Sequence, residues 1–188
     1  MSATKEYPQR HAISVDEYLR MGQAGVFAPA VRLELMEGEI VEMAPIGSAH
    51  AAVVRRMAEL LQPAGERFIL SVQDPLILGE RSAPQPDLML LRWREDRYYS
   101  AHPRAEDVLL VVEVADTTRD FDLTVKVPLY AQNGVTEVWV VDVVQRLMHV
   151  FRDAAARGYV TRLNLPVEGC VTVDALGRTI RVSDLFPR

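Results

Sequence analysis

The chain has 188 residues and a formal charge of −5, from 21 lysines and arginines against 26 aspartates and glutamates. With 49% hydrophobic and 25% charged residues, its composition is that of a folded globular protein and excludes a largely disordered chain. The acidic balance argues against a protein that coats nucleic acid through bulk positive charge, but it is compatible with a local basic groove or a metal-bridged phosphate.

Cysteine content and hydropathy bear on the compartment. The single cysteine, Cys170, excludes an internal disulfide framework and suits a reducing environment. No apolar run approaches the ~20 residues that cross a bilayer, and the first residues are too polar for a signal peptide. We therefore predict a cytoplasmic protein with no membrane partner. Residues 13–188 are predicted to form a single domain, after a flexible N-terminus over residues 1–12.

The N-terminal third of the chain is predicted to contain two helices and a hairpin. Ser14 and Glu17 form a capping box at the start of a short helix. Apolar and polar residues then alternate on both sides of Glu37 and Gly38, which predicts two strands joined by a tight turn. From Ser48 onward, apolar residues at helical spacing predict the second helix.

The remainder of the chain is rich in predicted strands. Short apolar runs bounded by turn residues predict strands over residues 67–73, 86–92, 107–116 and 136–144. The second and third runs are apolar at both parities, so both faces of these strands should be covered. A helix is predicted over residues 121–134, with Pro128 either a defect inside it or part of the first turn of a shorter helix. From residue 146 the pattern predicts a meander of half-exposed strands, in which Cys170 is expected to be buried.

Two carboxylates occur in or beside these apolar strands. Asp87 follows Pro86 directly at the start of one strand, and Glu113 interrupts a strand that should be buried on both faces. An unpaired carboxylate in that position would be expected to neutralise or to find a cation. Two carboxylates about 4 Å apart repel by roughly 4 kcal/mol at an effective dielectric of about 20. Several carboxylates in one pocket would therefore imply a divalent metal, a lysine or both.

Lys126 is the candidate counter-charge. Asp122, Lys126 and Tyr130 recur every four residues along the predicted helix and therefore share a face. If this helix folds back on the sheet, Lys126 approaches the acids. Alternatively, Lys126 forms a surface ion pair with Asp122 worth about a few tenths of a kcal/mol, or it snorkels over the sheet.

The same residues carry a resemblance to a known family. The segments "PQPDLMLL" and "VVEVADTTRDFDLTVKVPLYAQNGVTEVWVVD" resemble the PD-(D/E)XK nuclease superfamily and, more narrowly, the bacterial Uma-two family of candidate endonucleases. The resemblance extends upstream through "RLELMEGEIVEMAPIGSAH" and covers residues 13–153. The ordered series that carries it consists of Glu34, His50, Asp87, Glu113, Lys126 and Tyr130.

The resemblance implies an α/β restriction-endonuclease-like fold, with a mixed central β-sheet flanked by helices and with an additional N-terminal hairpin and C-terminal β-meander. It also implies that Asp87 and Glu113 bind Mg²⁺, for which Mn²⁺ would substitute, with Glu34 as a third candidate ligand. Lys126 would orient or deprotonate the attacking water and stabilise charge on the phosphate, while Glu34 and His50 would complete the catalytic pocket. Hard oxygen ligands and open water positions suit Mg²⁺, which activates water and neutralises phosphoryl oxygens.

One position departs from the superfamily signature. The lysine expected two residues after the acid is replaced by Ala115, so Lys126 would have to substitute from the following helix. If Lys126 points elsewhere, a metal site remains but the catalytic base is lost.

The residues and the resemblance together predict a Mg²⁺-dependent endonuclease that hydrolyses phosphodiester bonds in DNA. Cutting both strands of a duplex generally needs two active sites, so a homodimer formed through the exposed late strands is a further prediction. The charge of −5 and the presence of Ala115 leave open a catalytically silent nucleic-acid-binding or scaffold protein. A metal-dependent phosphohydrolase of small phosphate esters is the other alternative.

Overall fold

The described chain contains four α-helices, ten strands, one π-helical turn and three short 3-10 helices. The structure is a computed structural model that describes residues 10–62 and 67–187, so residues 1–9 of the predicted flexible N-terminus lie outside the described residues. The helices are α1 (Val15–Gln23), α2 (Ser48–Leu61), α3 (Arg119–Phe121) and α4 (Val127–Gln132), and a π-helical turn (Asp122–Lys126) joins α3 to α4. The strands are β1 (Arg32–Met36), β2 (Glu39–Met43), β3 (Phe68–Val72), β4 (Leu88–Arg92), β5 (Val108–Ala115), β6 (Glu137–Asp142), β7 (Leu147–Ala155), β8 (Gly158–Leu165), β9 (Cys170–Val173) and β10 (Arg178–Arg181).

Six of the strands form one mixed sheet in the order β3-β4-β5-β6-β7-β8. Neighbouring strands are antiparallel except for β5 and β6, which are parallel. Because a parallel pair needs a crossover connection, the chain leaves β5 through α3, the π-helical turn and α4 before it enters β6. The predicted mixed central sheet flanked by helices is therefore confirmed.

Helices cover both faces of this sheet. On one face α2 buries Val53, Met57 and Leu61 against the strands, and on the other face α4 buries Val127 and Leu129. Full burial of each such side chain stabilises the folded state by about 1.5–3 kcal/mol. Because helices cover both faces of the sheet, β4 and β5 carry apolar side chains on both faces. None of the helices within residues 10–62 and 67–187 has the length and apolar character needed to cross a membrane.

The predicted N-terminal hairpin is formed by β1 and β2. Its turn residues Glu37 and Gly38 have φ angles of 49° and 88°, as in a type I′ turn, which favours glycine at the second position. A Cβ atom at Gly38 would lie 2.8 Å from the Cβ of Ala12, so the position is also sterically restricted. The turn fixes a register in which Glu34 pairs with Val41 and its side chain is buried.

The predicted C-terminal meander divides between two sheets. Strands β7 and β8 extend the central sheet, whereas β9 and β10 form a separate two-stranded sheet. Val171, Val173 and Ile180 of this small sheet pack into the core on the α2 side. Cys170 and Val171 are neighbours on β9, so their side chains lie on opposite faces of the small sheet. Val171 is buried and Cys170 is exposed, so the expectation of a buried cysteine was wrong.

Candidate active site

A pocket of about 150 Å³ lies where β4 begins and β5 ends, walled by the β1–β2 hairpin, the N-terminus of α2 and the π-helical turn. Its carboxylate residues are Glu34, Asp87, Glu113, Asp116 and Asp122. Its cationic and imidazole residues are Arg32, His50 and Lys126. The structure thus brings all five residues named from the sequence as catalytic candidates into one pocket.

Lys126 lies among the buried carboxylates. Its Nζ donates hydrogen bonds to Glu34 Oε1 at 3.1 Å and to Glu113 Oε1 at 3.2 Å, and it lies 4.0 Å from the nearest oxygen of Asp122. Burial by itself lowers the pKa of Lys126, but the three carboxylates outweigh it and raise the pKa above the ordinary lysine value. Lys126 is therefore an ammonium at neutral pH. Its burial excludes the alternatives of an exposed ion pair and of snorkelling.

The π-helical turn sets the direction of Lys126. The N–H of Val127 bonds to the carbonyl of Asp122, five residues earlier, so the helix is locally one residue wider than an α-helix. Pro128 follows in the first turn of α4, where a missing N–H is tolerated. The wide turn leaves both Asp122 and Lys126 buried on the pocket side. Pro128 thus lies in the first turn of the short α4, as the second interpretation has it, but α4 continues the π-helical turn without a break.

Glu113 is held from two sides. Tyr130 Oη donates to Glu113 Oε1 at 2.5 Å, and Lys126 donates to the same oxygen. Burial raises the pKa of Glu113 to about 8; Lys126 opposes this rise, and neighbouring carboxylates add to it. Burial also raises the pKa of Tyr130 well above its ordinary value, so the phenol remains a donor. Sequence reasoning placed Tyr130 on the Lys126 face but assigned it no function in the pocket.

The pocket holds more negative charge than Lys126 balances. Burial raises the pKa of Asp122 to about 6, despite the opposing effects of Lys126 and of a 2.7 Å hydrogen bond donated by Thr118. The excess is seen in the lining itself, which has five carboxylate residues against the two cations Arg32 and Lys126, so a further cation would offset the remaining carboxylates.

Asp87 is fixed by three donors. Its Oδ2 accepts from the backbone N–H of Val114 at 2.9 Å and lies 3.0 Å from His50 Nε2, while its Oδ1 accepts from Gln73 Nε2 at 3.2 Å. Burial raises the pKa of Asp87, but His50, Val114 and Gln73 together outweigh burial and lower it. Asp87 is therefore ionised at neutral pH, with its orientation set before any ligand binds.

His50 faces Asp87 from the first turn of α2. The N-cap of this helix is Gly47, so His50 does not cap it. Since Asp87 is ionised, His50 Nε2 carries the proton of their shared hydrogen bond. Nδ1 of the same ring is then buried with no hydrogen-bond partner among the described residues.

Comparison with known families places these residues in context. The model of the Uma2 family, described as "Putative restriction endonuclease", matches residues 15–183. The chain belongs to the Uma2 family. The family resemblance predicted from the sequence is confirmed, and the Uma2 match contains Glu34, His50, Asp87, Glu113 and Lys126.

A solved structure supports the Uma2 assignment at the level of the fold. It is a crystal structure of "a putative nuclease belonging to DUF820 from Anabaena variabilis ATCC 29413", with a TM-score of 0.67 and 16% sequence identity. The match covers 93% of this chain and 97% of that one, which confirms the predicted restriction-endonuclease-like fold class. No curated protein matches the chain significantly. Membership of the Uma2 family supports nuclease activity, and a nuclease is a hydrolase.

Two residues escaped the sequence analysis: Gln73, which hydrogen-bonds Asp87, and Arg32, which lines the pocket of this Uma2 member. Gln73 has a φ of 56° and reaches Asp87 because β3 and β4 pair Val72 with Leu88, and only the strand register reveals that proximity. Arg32 precedes Glu34 by two residues on β1, and both line the pocket. Side chains two residues apart on a strand share a face, so this spacing was an available signal.

The pocket of this Uma2 member has the donor chemistry of a hard-cation site. Its carboxylate oxygens are the ligands that Mg²⁺ prefers. Glu34 Oε2 is buried and accepts no hydrogen bond within the described residues, although its 3.1 Å approach to Lys126 Nζ is a close ion pair. In the described parts of the chain, no three His, Cys, Asp or Glu side chains already converge as a metal-binding group. The residues fit a divalent cation in kind and charge but are not grouped as its ligands among the described residues. A cation bound to Glu113 would compete with Lys126 for that carboxylate.

Proposed function

We propose that this Uma2 member is a Mg²⁺-dependent endonuclease that hydrolyses phosphodiester bonds in DNA. The observation that carries the proposal is the meeting of Asp87, Glu113 and Lys126 in one pocket from three separate segments of the chain. Buried carboxylates suit a divalent cation, and an ammonium beside them suits the developing charge of a phosphoryl group. Membership of the Uma2 family supports the same reaction class.

Asp87 and Glu113 would hold the Mg²⁺, with Glu34 as a third candidate ligand, and Mn²⁺ would substitute for Mg²⁺. The bound ion would supply an activated water and neutralise the phosphate oxygens. Asp87 is suited to this because its carboxylate is ionised and oriented by three donors. Glu113 would give up its proton on binding, since metal ligands must be deprotonated.

Lys126 would orient the attacking water and stabilise negative charge on the phosphate. Its pKa is raised by the adjacent carboxylates, so it is protonated and unsuited to serve as the base in the described arrangement. Its ammonium would replace the lysine that the superfamily signature places at Ala115, a residue that is fully buried here. His50 would act on the pocket through its hydrogen bond to Asp87.

The size of the pocket favours a polymer over a small phosphate ester. Pockets that enclose small molecules typically measure about 300–1,000 Å³, whereas this one measures about 150 Å³. A phosphate group presented by a strand lying across the opening needs only that group to enter. The scaffold alternative gives no reason to bury these charges, although burial costs several kcal/mol per ion.

Relaxation of supercoiled plasmid DNA tests the proposal. We expect the wild type to cut the plasmid with Mg²⁺ or Mn²⁺ and not in EDTA. Asp87→Ala and Lys126→Ala should each lower the rate by about 100-fold or more, the scale expected when an electrostatic contact to the transition state is lost. Glu42→Ala, which removes an exposed carboxylate from the same hairpin, is the matched control and should cut like the wild type.

Three other outcomes would contradict the nuclease proposal. Cutting that survives Asp87→Ala in a variant confirmed as folded by circular dichroism indicates a contaminating nuclease. DNA binding without cutting under any metal condition favours the scaffold alternative. Turnover of small phosphate esters alone favours the phosphohydrolase.

A further inference from the structure

Arg32 contributes a guanidinium to the pocket that no carboxylate neutralises. Five carboxylate residues line the same pocket, yet Arg32 makes no ion pair within the described residues. Its hydrogen bond there is from Nη1 to the carbonyl of Ala44 at 3.5 Å, the upper limit for such a bond. An arginine has five N–H donors in a planar fork, so most of the donors of Arg32 are available to a ligand.

Strand geometry places Arg32 beside the reaction centre and nearer to solvent. Arg32 and Glu34 share one face of β1, so their Cα atoms are about 7 Å apart along the strand. Glu34 is buried in contact with Lys126, whereas Arg32 is half-buried. The two cations of the pocket therefore lie at different depths, with Lys126 inside and Arg32 towards the opening.

The N-terminus of α2 adds positive potential to the same wall. Gly47 is the N-cap of this 14-residue helix, makes no side-chain cap bond and lines the pocket. The first N–H groups of a helix carry a positive partial charge and favour phosphate. The carboxylate of Asp116 also approaches Gly47 and offsets part of this positive potential. Arg32 is therefore the main evidence for a phosphate site, and the helix end is supporting evidence.

We propose that Arg32 binds a DNA phosphate next to the one at the bond being cut, and so positions the strand across the pocket. This inference rests on the proposed nuclease function and adds to it a second phosphate subsite. A guanidinium fork matches two phosphate oxygens at once, which a lysine ammonium does not. Since this contact exists both before and during the reaction, it contributes to DNA binding and leaves the chemical step unchanged.

Salt dependence of DNA binding gives the first test. Binding of a fluorescent duplex oligonucleotide is measured by anisotropy in Ca²⁺ buffer over a series of salt concentrations, and a gel verifies that the duplex stays intact. Losing one phosphate contact lowers the slope of log K against log salt by about 0.9. We expect that loss for Arg32→Gln and a wild-type slope for Arg32→Lys. Arg20→Gln, an exposed arginine of α1 paired with Asp16, is the control and should keep the wild-type slope.

Steady-state cleavage gives the second test. Removing a contact that is equal in the ground state and the transition state raises KM and leaves kcat unchanged. We expect Arg32→Gln to raise KM by about 10-fold with kcat within about 2-fold of the wild type.

An unchanged salt slope and KM in Arg32→Gln would overturn the inference about Arg32. A fall in thermal stability with an unchanged slope would do the same, because it would show that Arg32 only holds the chain at Ala44. In either case, loss of cutting in Asp87→Ala would leave the nuclease proposal standing. If the wild type cuts no DNA, both proposals are wrong.

Discussion

Lys126 is the side chain on which the buried charges of the pocket most depend. It contacts Glu34 and Glu113, and all three side chains are at most 3% exposed. Replacing both partners of a buried ion pair by apolar residues can be neutral, but removing one partner leaves the other charge uncompensated and costs about 3–5 kcal/mol. The stability of the metal-free protein should therefore respond strongly to this one residue.

We predict that Lys126→Met destabilises the metal-free protein more at pH 8 than at pH 5. Burial raises the pKa of Asp122 to about 6 in the wild type and Lys126 opposes that rise, so loss of the ammonium would raise this pKa further. Glu113, whose pKa is about 8, is protonated over most of the range between pH 5 and pH 8 with or without Lys126. A carboxyl whose pKa is higher in the folded state stabilises the fold below its unfolded pKa, and this stability is lost as the pH rises. The loss should be about 3 kcal/mol at pH 8 and clearly smaller at pH 5.

Urea unfolding in EDTA at the two pH values measures this effect. Arg20→Met, which removes an exposed cation, should change the unfolding free energy little at either pH. If Lys126→Met lowers the unfolding free energy equally at pH 5 and pH 8, the carboxyl groups beside Lys126 do not take up protons when the ammonium is lost.

Single residues differ in how far the sequence predicts them. Asp87 and Glu113 stand out because charges are rare in apolar strands, and Lys126 because it follows them in the family order. Gln73 could not be predicted, since its contact with Asp87 depends on the register of β3 against β4. Arg32 could have been identified from its parity with Glu34, but a half-exposed arginine on a hairpin has no distinctive pattern.

At the scale of the elements, the β1–β2 turn positions one wall of the pocket. Both Glu34 and Arg32 belong to β1, so their positions depend on the register fixed by Glu37 and Gly38. Gly38 combines a positive φ with a close approach to Ala12, two separate reasons against any larger residue.

We predict that Gly38→Ala lowers the free energy of unfolding by at least about 2 kcal/mol, from left-handed backbone strain plus overpacking against Ala12. Gly134→Ala is the matched control, because Gly134 also has a positive φ, 82°, but a Cβ there would meet nothing within 4 Å among the described atoms. Backbone strain alone should cost it about 1 kcal/mol. Chemical denaturation compares the two, and equal losses would mean that the approach to Ala12 is relieved without cost.

The sequence predicts the type of a helix or strand better than its detailed backbone geometry. The capping box of Ser14 and Glu17 and the Glu37-Gly38 hairpin follow from local chemistry, and both are present. The helix over residues 121–134 was predicted, but its π-helical turn was not. Such turns are rare and occur mostly as single bulges inside α-helices, and in this one Lys126 contacts two distant glutamates. Only the tertiary fold supplies those contacts.

At the scale of the whole molecule, β8 forms one edge of the central sheet. It exposes Val160 by 74% and Leu163 by 43%. An edge strand with exposed apolar side chains is a template for pairing with another chain. The predicted homodimer through the late strands, which remains a prediction, would place two such edges together around a two-fold axis.

We predict that light scattering at micromolar concentration gives twice the mass of one chain, and that Val160→Lys shifts the protein to the monomer. Val26→Lys, at a residue that is 61% exposed and outside the sheet, is the control and should remain dimeric. A monomeric mass for the wild type over the whole concentration range would remove the dimer hypothesis.

Two further expectations from the sequence, a single domain over residues 13–188 and a cytoplasmic location, also remain predictions.

The contact between Glu34 and Lys126 joins positions 92 residues apart. A ribosome that adds about 5–20 residues per second needs roughly 5–20 s to travel from one to the other. Throughout that interval the nascent polypeptide carries several acids of the candidate site without its ammonium. If the protein cuts DNA as proposed, a translation product that stops short of the β5–β6 crossover is harmless to the genome of the cell that makes it.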